Sequence, residues 1–170
     1  MRRISIIQGE YHVATEPKVL IGTLLGSCIA VCLHDAVAHV GGMNHFLLGE
    51  PSGRVRIADA DQQRYGIHAM ELLINAMMRK GAVRSRLRAH LYGGADIVAG
   101  LGQIGSSNAA FARRFIATEG IEVGHTGLGG TAARRVEFLP HLGKVRSWIV
   151  ADAVPIGLPS TGAGGDLELF

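Results

Sequence analysis

Cysteine is almost absent from this chain, and the two that occur, Cys28 and Cys32, cannot bond to each other. Four residues of strand separate their Cα atoms by about 13 Å, beyond disulfide reach, and the same spacing excludes a local zinc clamp. The remaining histidines show no HxxxH or similar ligand spacing, so neither a metal nor a cofactor is expected. Aromatic residues make up only 5% of the sequence. No nucleic-acid motif accompanies the arginine groups at Arg79–Arg88, Arg113-Arg114 and Arg134-Arg135, and these read as solvated surface. A long apolar run is also missing: Val19–Leu33 spans 15 residues and holds two glycines, a threonine and a serine, short of the roughly 20 that a membrane span needs. Met1-Arg2-Arg3 leads into only a short apolar stretch before Gln8-Gly9-Glu10, which is not the pattern of a signal peptide. A reducing cytoplasm is the expected compartment, and it keeps Cys28 as a thiol.

What the chain does have is enough apolar content for one core. At 170 residues, 48% hydrophobic and 18% charged, with a net charge of +3, it reads as a single α/β domain over residues 1–150, a layered sandwich of mixed β-sheet with flanking helices. Residues 151–170 shift to Pro, Gly, Ser and Ala and read as a loosely held tail. Short strands are expected at 4–7 and 11–15 around a Gly9-Glu10 turn, with a third run at 18–22. Asp59 or Asp61 opens a helix carrying Met70, Leu73, Ile74 and Met77 on one face and ending at Gly81. Leu87, Ala89 and Leu91 alternate with Arg86, Arg88 and His90, the pattern of a strand with one wet face. Ser106 or Ser107 caps a second helix with Ala110, Phe111, Phe115 and Ile116, closed by Gly120. Strands at 121–123, 136–139 and 145–150 complete the reading. The glycines from Gly100 to Gly105 lack the order of a dinucleotide fingerprint and read as a loop.

Chemistry concentrates in residues 18–48. Cys28–His34 and His39–Leu48 are apolar, β-branched runs joined by a turn. A hairpin centred between Ala36 and Val37 sets Cys28 directly across from His45, at the separation of about 4.5–5.5 Å where an imidazole can take a thiol proton. Gly26-Ser27 lets the chain bend before Cys28 and leaves amide N–H groups free to face an oxyanion. Gly41-Gly42 leaves room near the thiol or bends the sheet. The other reading of Cys28 is a small buried hydrophobe.

The run Thr23-Leu24-Leu25-Gly26-Ser27-Cys28-Ile29-Ala30-Val31-Cys32-Leu33, followed by Gly41-Gly42-Met43-Asn44-His45-Phe46, resembles the signature of the CheD family, chemoreceptor glutamine deamidases of bacterial chemotaxis. Further matches follow in order: Arg64-Tyr65-Gly66, Tyr92-Gly93-Gly94-Ala95, Ile104-Gly105 with Asn108, and Leu128-Gly129-Gly130. The resemblance implies a fold similar to the catalytic domain of cytotoxic necrotizing factor, a nucleophilic Cys28 and a general base His45. It implies a third site residue, a threonine six positions before the cysteine. That position is Gly22 here, with Thr23 one residue later, so Thr23 takes the role only if the backbone is irregular there. Gly127 and Ala133 also depart from the family pattern.

The implied activity is hydrolysis of glutamine side-chain amides to glutamate in the cytoplasmic helices of chemoreceptors, through a thioester. The competing class is an adaptor that binds chemoreceptors or a CheC-type phosphatase with little or no catalysis. A last resemblance lies at the C-terminus, Asp166-Leu167-Glu168-Leu169-Phe170, which is similar to a receptor tethering pentapeptide at Glu168 and Phe170.

Overall fold

A computed structural model describes residues 1–48, 59–97 and 103–150, with side chains from residue 61 onward in the middle segment. In chain order the strands are β1 (Arg2–Ser5), β2 (Tyr11–Ala14), β3 (Val19–Leu25), β4 (Ile29–Asp35), β5 (Val40–Asn44), β6 (Leu87–Gly93), β7 (Glu122–Leu128), β8 (Arg134–Leu139) and β9 (Lys144–Ile149). Helix α1 covers Asp59–Arg79 and α2 covers Ile104–Thr118. The strands form two mixed sheets, one in the order β1-β3-β8-β9 and the other β2-β5-β4-β6-β7.

The alternation along β4 shows how the layers stack. Ile29, Val31 and Leu33 join Met70, Leu73, Ile74 and Met77 of α1 and Phe111 and Ile116 of α2 in one core. Ala30 and Cys32 point the other way, into a second core with Ile21 and Leu25 of β3 and Val136 and Phe138 of β8. The five-stranded sheet is therefore the middle layer, with helices on one face and the four-stranded sheet on the other. Burial of each large side chain in these cores contributes about 1.5–3 kcal/mol. Both helices stop as their glycines predict. Gly81 and Gly120 take positive φ of 103° and 67°, and the paired bonds Ala82 N–H to Met77 C=O and Ile121 N–H to Ile116 C=O close a Schellman turn in each case.

Several expectations are corrected. The strands on either side of Gly9 belong to different sheets, because the chain crosses from one layer to the other there. The hairpin register lies two residues further along: Cys32 pairs with Met43 and Asp35 with Val40, and Ile29 bridges Phe46. The cause is Asp35, whose Oδ1 accepts from the N–H groups of Val37 and Ala38 at 2.9 and 3.0 Å, stabilising a four-residue connection with His39 at φ 54°. Leu47, not His45, is thus directly across from Cys28. Strand β6 is exposed only at Arg88, not along a whole face. It lies between β4 and β7, and His90 is buried, accepting the His125 N–H at Nδ1. Neither Ser106 nor Ser107 caps α2; Gln103 is its N-cap residue, and Ser106 instead donates its hydroxyl to Asp96. The glycines at 41 and 42 do not open space by the thiol. A Cβ on Gly41 would lie 2.3 Å from Pro140 O, and one on Gly42 would lie 2.9 Å from Leu73 Cδ1, so they allow the β8–β9 turn and α1 to close on β5.

The arginine group is not all solvated surface, since Arg86 pairs with the fully buried Asp35 carboxylate. Burial by itself pushes the Asp35 carboxyl up, but hydrogen bonds from Arg86 and from the N–H groups of Val83, Ala38 and Val37 hold it well below the usual carboxylate range. The expected loop after Leu48, most of the Gly100–Gly105 stretch and the tail at 151–170 lie outside the described residues.

Candidate active site

Strand β3 is regular through Leu25, paired to β1 and β8 without a bulge. Its interior residues Ile21 and Leu25 share a face with Thr23, which is 3% exposed. A regular strand therefore turns Thr23 inward between the sheets, the reverse of the expectation that regularity would point it away. The irregularity comes later, at Gly26–Cys28, where the chain leaves one sheet and enters the other. The Thr23 hydroxyl donates to Ile6 C=O at 2.7 Å and lies 2.7 Å from His45 Nδ1. A hydroxyl has one hydrogen to give, so toward His45 it accepts. His45 consequently carries its proton on Nδ1, and Nε2 keeps a lone pair.

His45 is placed by the end of β5. Asn44 accepts the Val31 N–H with its side chain at 3.0 Å, which interrupts the ladder to β4. The His45 backbone pairs outward instead, donating to Glu10 C=O at 3.0 Å and accepting from Gly9 N–H at 2.8 Å. Ile29 and Phe46 are bonded partners, each donating to the other at 2.9 Å, and both face the helices. The preceding residue on each strand, Cys28 and His45, faces the other sheet, with Cys28 packed on the interlayer core. The two are diagonal neighbours across the pair, a separation of roughly 7–8 Å at Cα and less at Cβ, within reach of an imidazole.

The bend carrying Cys28 is held from behind. Gly26 C=O accepts from Ala95 N–H at 3.1 Å, and Cys28 C=O from Gly94 N–H at 2.9 Å. Ser27 C=O accepts from Asn108 Nδ2 at 2.7 Å. All three carbonyls are thus turned toward β6 and α2, while the N–H groups of Ser27 and Cys28 have no acceptor among the described residues. Gly93 must be glycine for this: a Cβ there would lie 2.1 Å from Cys28 O. Asn108 is almost fully buried, and its Oδ1 also accepts from Leu48 N–H at 3.2 Å, so one side chain ties the bend to the segment after His45. Neither Asn108 nor Gly93 stood out as a site residue in the sequence, although both fall within matched motifs.

Burial pushes the Cys28 thiol up to about 11. It also holds the His45 imidazole down to about 4, against the weaker opposing pull of the Glu10 carboxylate. At neutral pH the resting pair is a thiol and a neutral imidazole. Cys32 is fully buried, and burial raises its thiol far above the usual range. His125 stacks on His90 with ring centroids 5.3 Å apart. His68 of α1 lines a pocket together with Tyr65, Leu72, Glu10, Tyr11 and His45. Among the described residues no group of three or more His, Cys, Asp or Glu side chains is arranged to hold a metal, and no helix is long and apolar enough to cross a membrane.

A family model described as CheD chemotactic sensory transduction matches residues 47–147. A Zymomonas mobilis protein named probable chemoreceptor glutamine deamidase CheD is 53% identical over 158 residues, covering 91% of this chain and 84% of its own. The chain belongs to the CheD family. A Caulobacter relative of the same name, from strain K31, is 48% identical over 176 residues, covering 99% of this chain and 93% of its own. These CheD relatives span the segment with Thr23, Cys28 and His45, whereas the family model begins after it. Among solved structures, Bacillus licheniformis YfiH matches with a TM-score of 0.42 at 15% identity, over 69% of this chain and 51% of its own; so partial a likeness carries nothing about activity.

Proposed function

We propose that this chain is a chemoreceptor glutamine deamidase, hydrolysing glutamine side-chain amides in receptor cytoplasmic regions to glutamate from a cytoplasmic location. The observation that carries the chemistry is the Thr23–His45 hydrogen bond beside a cysteine on a tied-back bend. His45 Nε2 takes the Cys28 proton as sulfur attacks the amide carbon. The oxyanion is received by the N–H groups of Ser27 and Cys28. His45 returns the proton to the leaving nitrogen, ammonia departs, and a thioester remains. Water, deprotonated by the same Nε2, opens the thioester to glutamate and restores the thiol. Thr23 holds the imidazole in the tautomer that this sequence of steps requires.

The adaptor reading, with a CheC-type phosphatase as partner, accounts for a docking protein but not for a polar Thr23–His45 pair kept between two apolar sheets. The test is incubation of purified protein with a chemoreceptor cytoplasmic fragment, with glutamine-to-glutamate conversion mapped by peptide mass spectrometry. Conversion at discrete glutamines is expected; no conversion above a protein-free control would reject the enzyme reading.

A further inference from the structure

Beside the Cys28 sulfur lies a glutamine of the chain itself. The Cys28 thiol donates to Gln8 Oε1 across 3.9 Å, the long end of the range for a sulfur donor. That contact is the Gln8 carboxamide's one hydrogen bond among the described residues. Its backbone is fixed by its neighbours' bonds to the other two site residues. Ile6 C=O accepts from the Thr23 hydroxyl, and Ile6 N–H donates to Gly22 C=O at 3.0 Å. Gly9 and Glu10 pair with the His45 backbone, and Glu10 Oε1 accepts from Ile7 N–H at 2.8 Å. Gln8 is therefore suspended between the anchors of Thr23 and His45, with its side chain exposed at the mouth of the site.

We propose that Gln8 is a further catalytic residue, whose carboxamide donates N–H hydrogen bonds to the negative charge as it passes from the Cys28 sulfur to the substrate oxygen. The proposal rests on the deamidase reading of the same site. A carboxamide suits the task because it has an acceptor and donors on one planar group. Its oxygen receives the S–H of the resting thiol, and a half-turn about the terminal torsion presents Nε2–H to a thiolate or an oxyanion. No proton leaves the amide. Hydrogen bonds to an ionised partner are roughly twice as strong as neutral ones, so the donor favours the charged states over the resting one. Burial has made the thiolate unfavourable in the free protein, and a donor that arrives with deprotonation answers that deficit.

The test compares Gln8→Ala and Gln8→Glu with the parent protein in two assays. On a receptor fragment, Gln8→Ala is expected to lower kcat by about 10- to 100-fold, at or below the lower limit for loss of one oxyanion donor, with KM and the melting temperature little changed. In the absence of substrate, Gln8→Ala is expected to slow iodoacetamide alkylation of Cys28 at pH 8, and Gln8→Glu to slow it further because a carboxylate opposes the thiolate. The alkylation assay does not depend on deamidation, so it separates failure of this proposal from failure of the enzyme reading. Unchanged alkylation and a kcat within twofold of the parent would overturn it. So would Cys28-dependent conversion of residue 8 to glutamate in the purified protein, because Gln8 would then be a substrate of the site.

Discussion

The Thr23 hydroxyl stands 2.7 Å from His45 Nδ1 and has already given its hydrogen to Ile6 C=O. The two residues come from opposite sheets, so the bond both spans the interlayer core and fixes which nitrogen of His45 is free. Thr23→Val keeps the shape and removes the acceptor. It is expected to lower kcat by roughly 10- to 100-fold, the scale on which loss of an orienting partner acts. Thr23→Ser is expected to retain most of the activity. Equal rates for the Val variant and the parent would show that the tautomer is set elsewhere.

Alkylation should discriminate sharply between the cysteines. Cys28 is partly exposed at the bend and Cys32 is fully buried among β-sheet side chains. Because burial raises both thiols, labelling of Cys28 should be slow at neutral pH and rise through pH 9, with Cys32 unlabelled until the protein unfolds. Peptide mapping after timed quenching measures both. Comparable labelling of Cys32 in the folded protein would contradict the burial argument.

The pH dependence follows from the same burial. His45, held down to about 4, is neutral and basic above that pH, and Cys28, at about 11, stays a thiol below it. A flat kcat/KM between about pH 5 and 9 is expected, where an unperturbed histidine would impose an acid limb near 6.5. The stability sign runs the same way. The unfolded chain binds the His45 proton more readily, so this group's contribution is complete above about 6.5 and is lost as pH falls toward 4. A limb near 6.5 in kcat/KM would contradict a buried neutral base.

Asn108 links the Ser27 carbonyl to the Leu48 amide from a buried position on α2. Asn108→Ala leaves both groups without a partner, at a cost of about 1–3 kcal/mol each for those that water cannot reach. Urea denaturation is expected to show that loss. At a temperature where both proteins are folded, kcat should also fall by about 10-fold or more as the bend drifts. Lower stability with unchanged kcat would confine Asn108 to the fold.

Much of this site was legible because its chemistry is local. Gly26-Ser27-Cys28 and Asn44-His45 lie in one stretch of chain, and strand alternation sets Cys28 and His45 on one face whether the hairpin closes at the expected turn or two residues later. The register itself was not legible, since it depends on Asp35 satisfying three amides and Arg86, two of those partners more than 40 residues away. The face of Thr23 stays conditional in the sequence, because counting from Cys28 has to cross the bend at Gly26. Parity had to be counted from Ile21 and Leu25, whose inward direction only the second sheet defines. Gln8 and Asn108 gave no signal by composition or spacing. Their roles come from contacts across 20 and 81 residues, made where the chain crosses between layers and where α2 packs behind the bend.

Cys28 is the nucleophile of the proposed mechanism, and the most direct measurement is the initial rate of glutamine-to-glutamate conversion on one receptor fragment by Cys28→Ala, His45→Ala and Cys32→Ala. The first two are expected to fall to the protein-free rate, and Cys32→Ala to keep most of the activity wherever it remains folded. Conversion by Cys28→Ala at the rate of the parent would contradict the thioester mechanism and every role assigned around it.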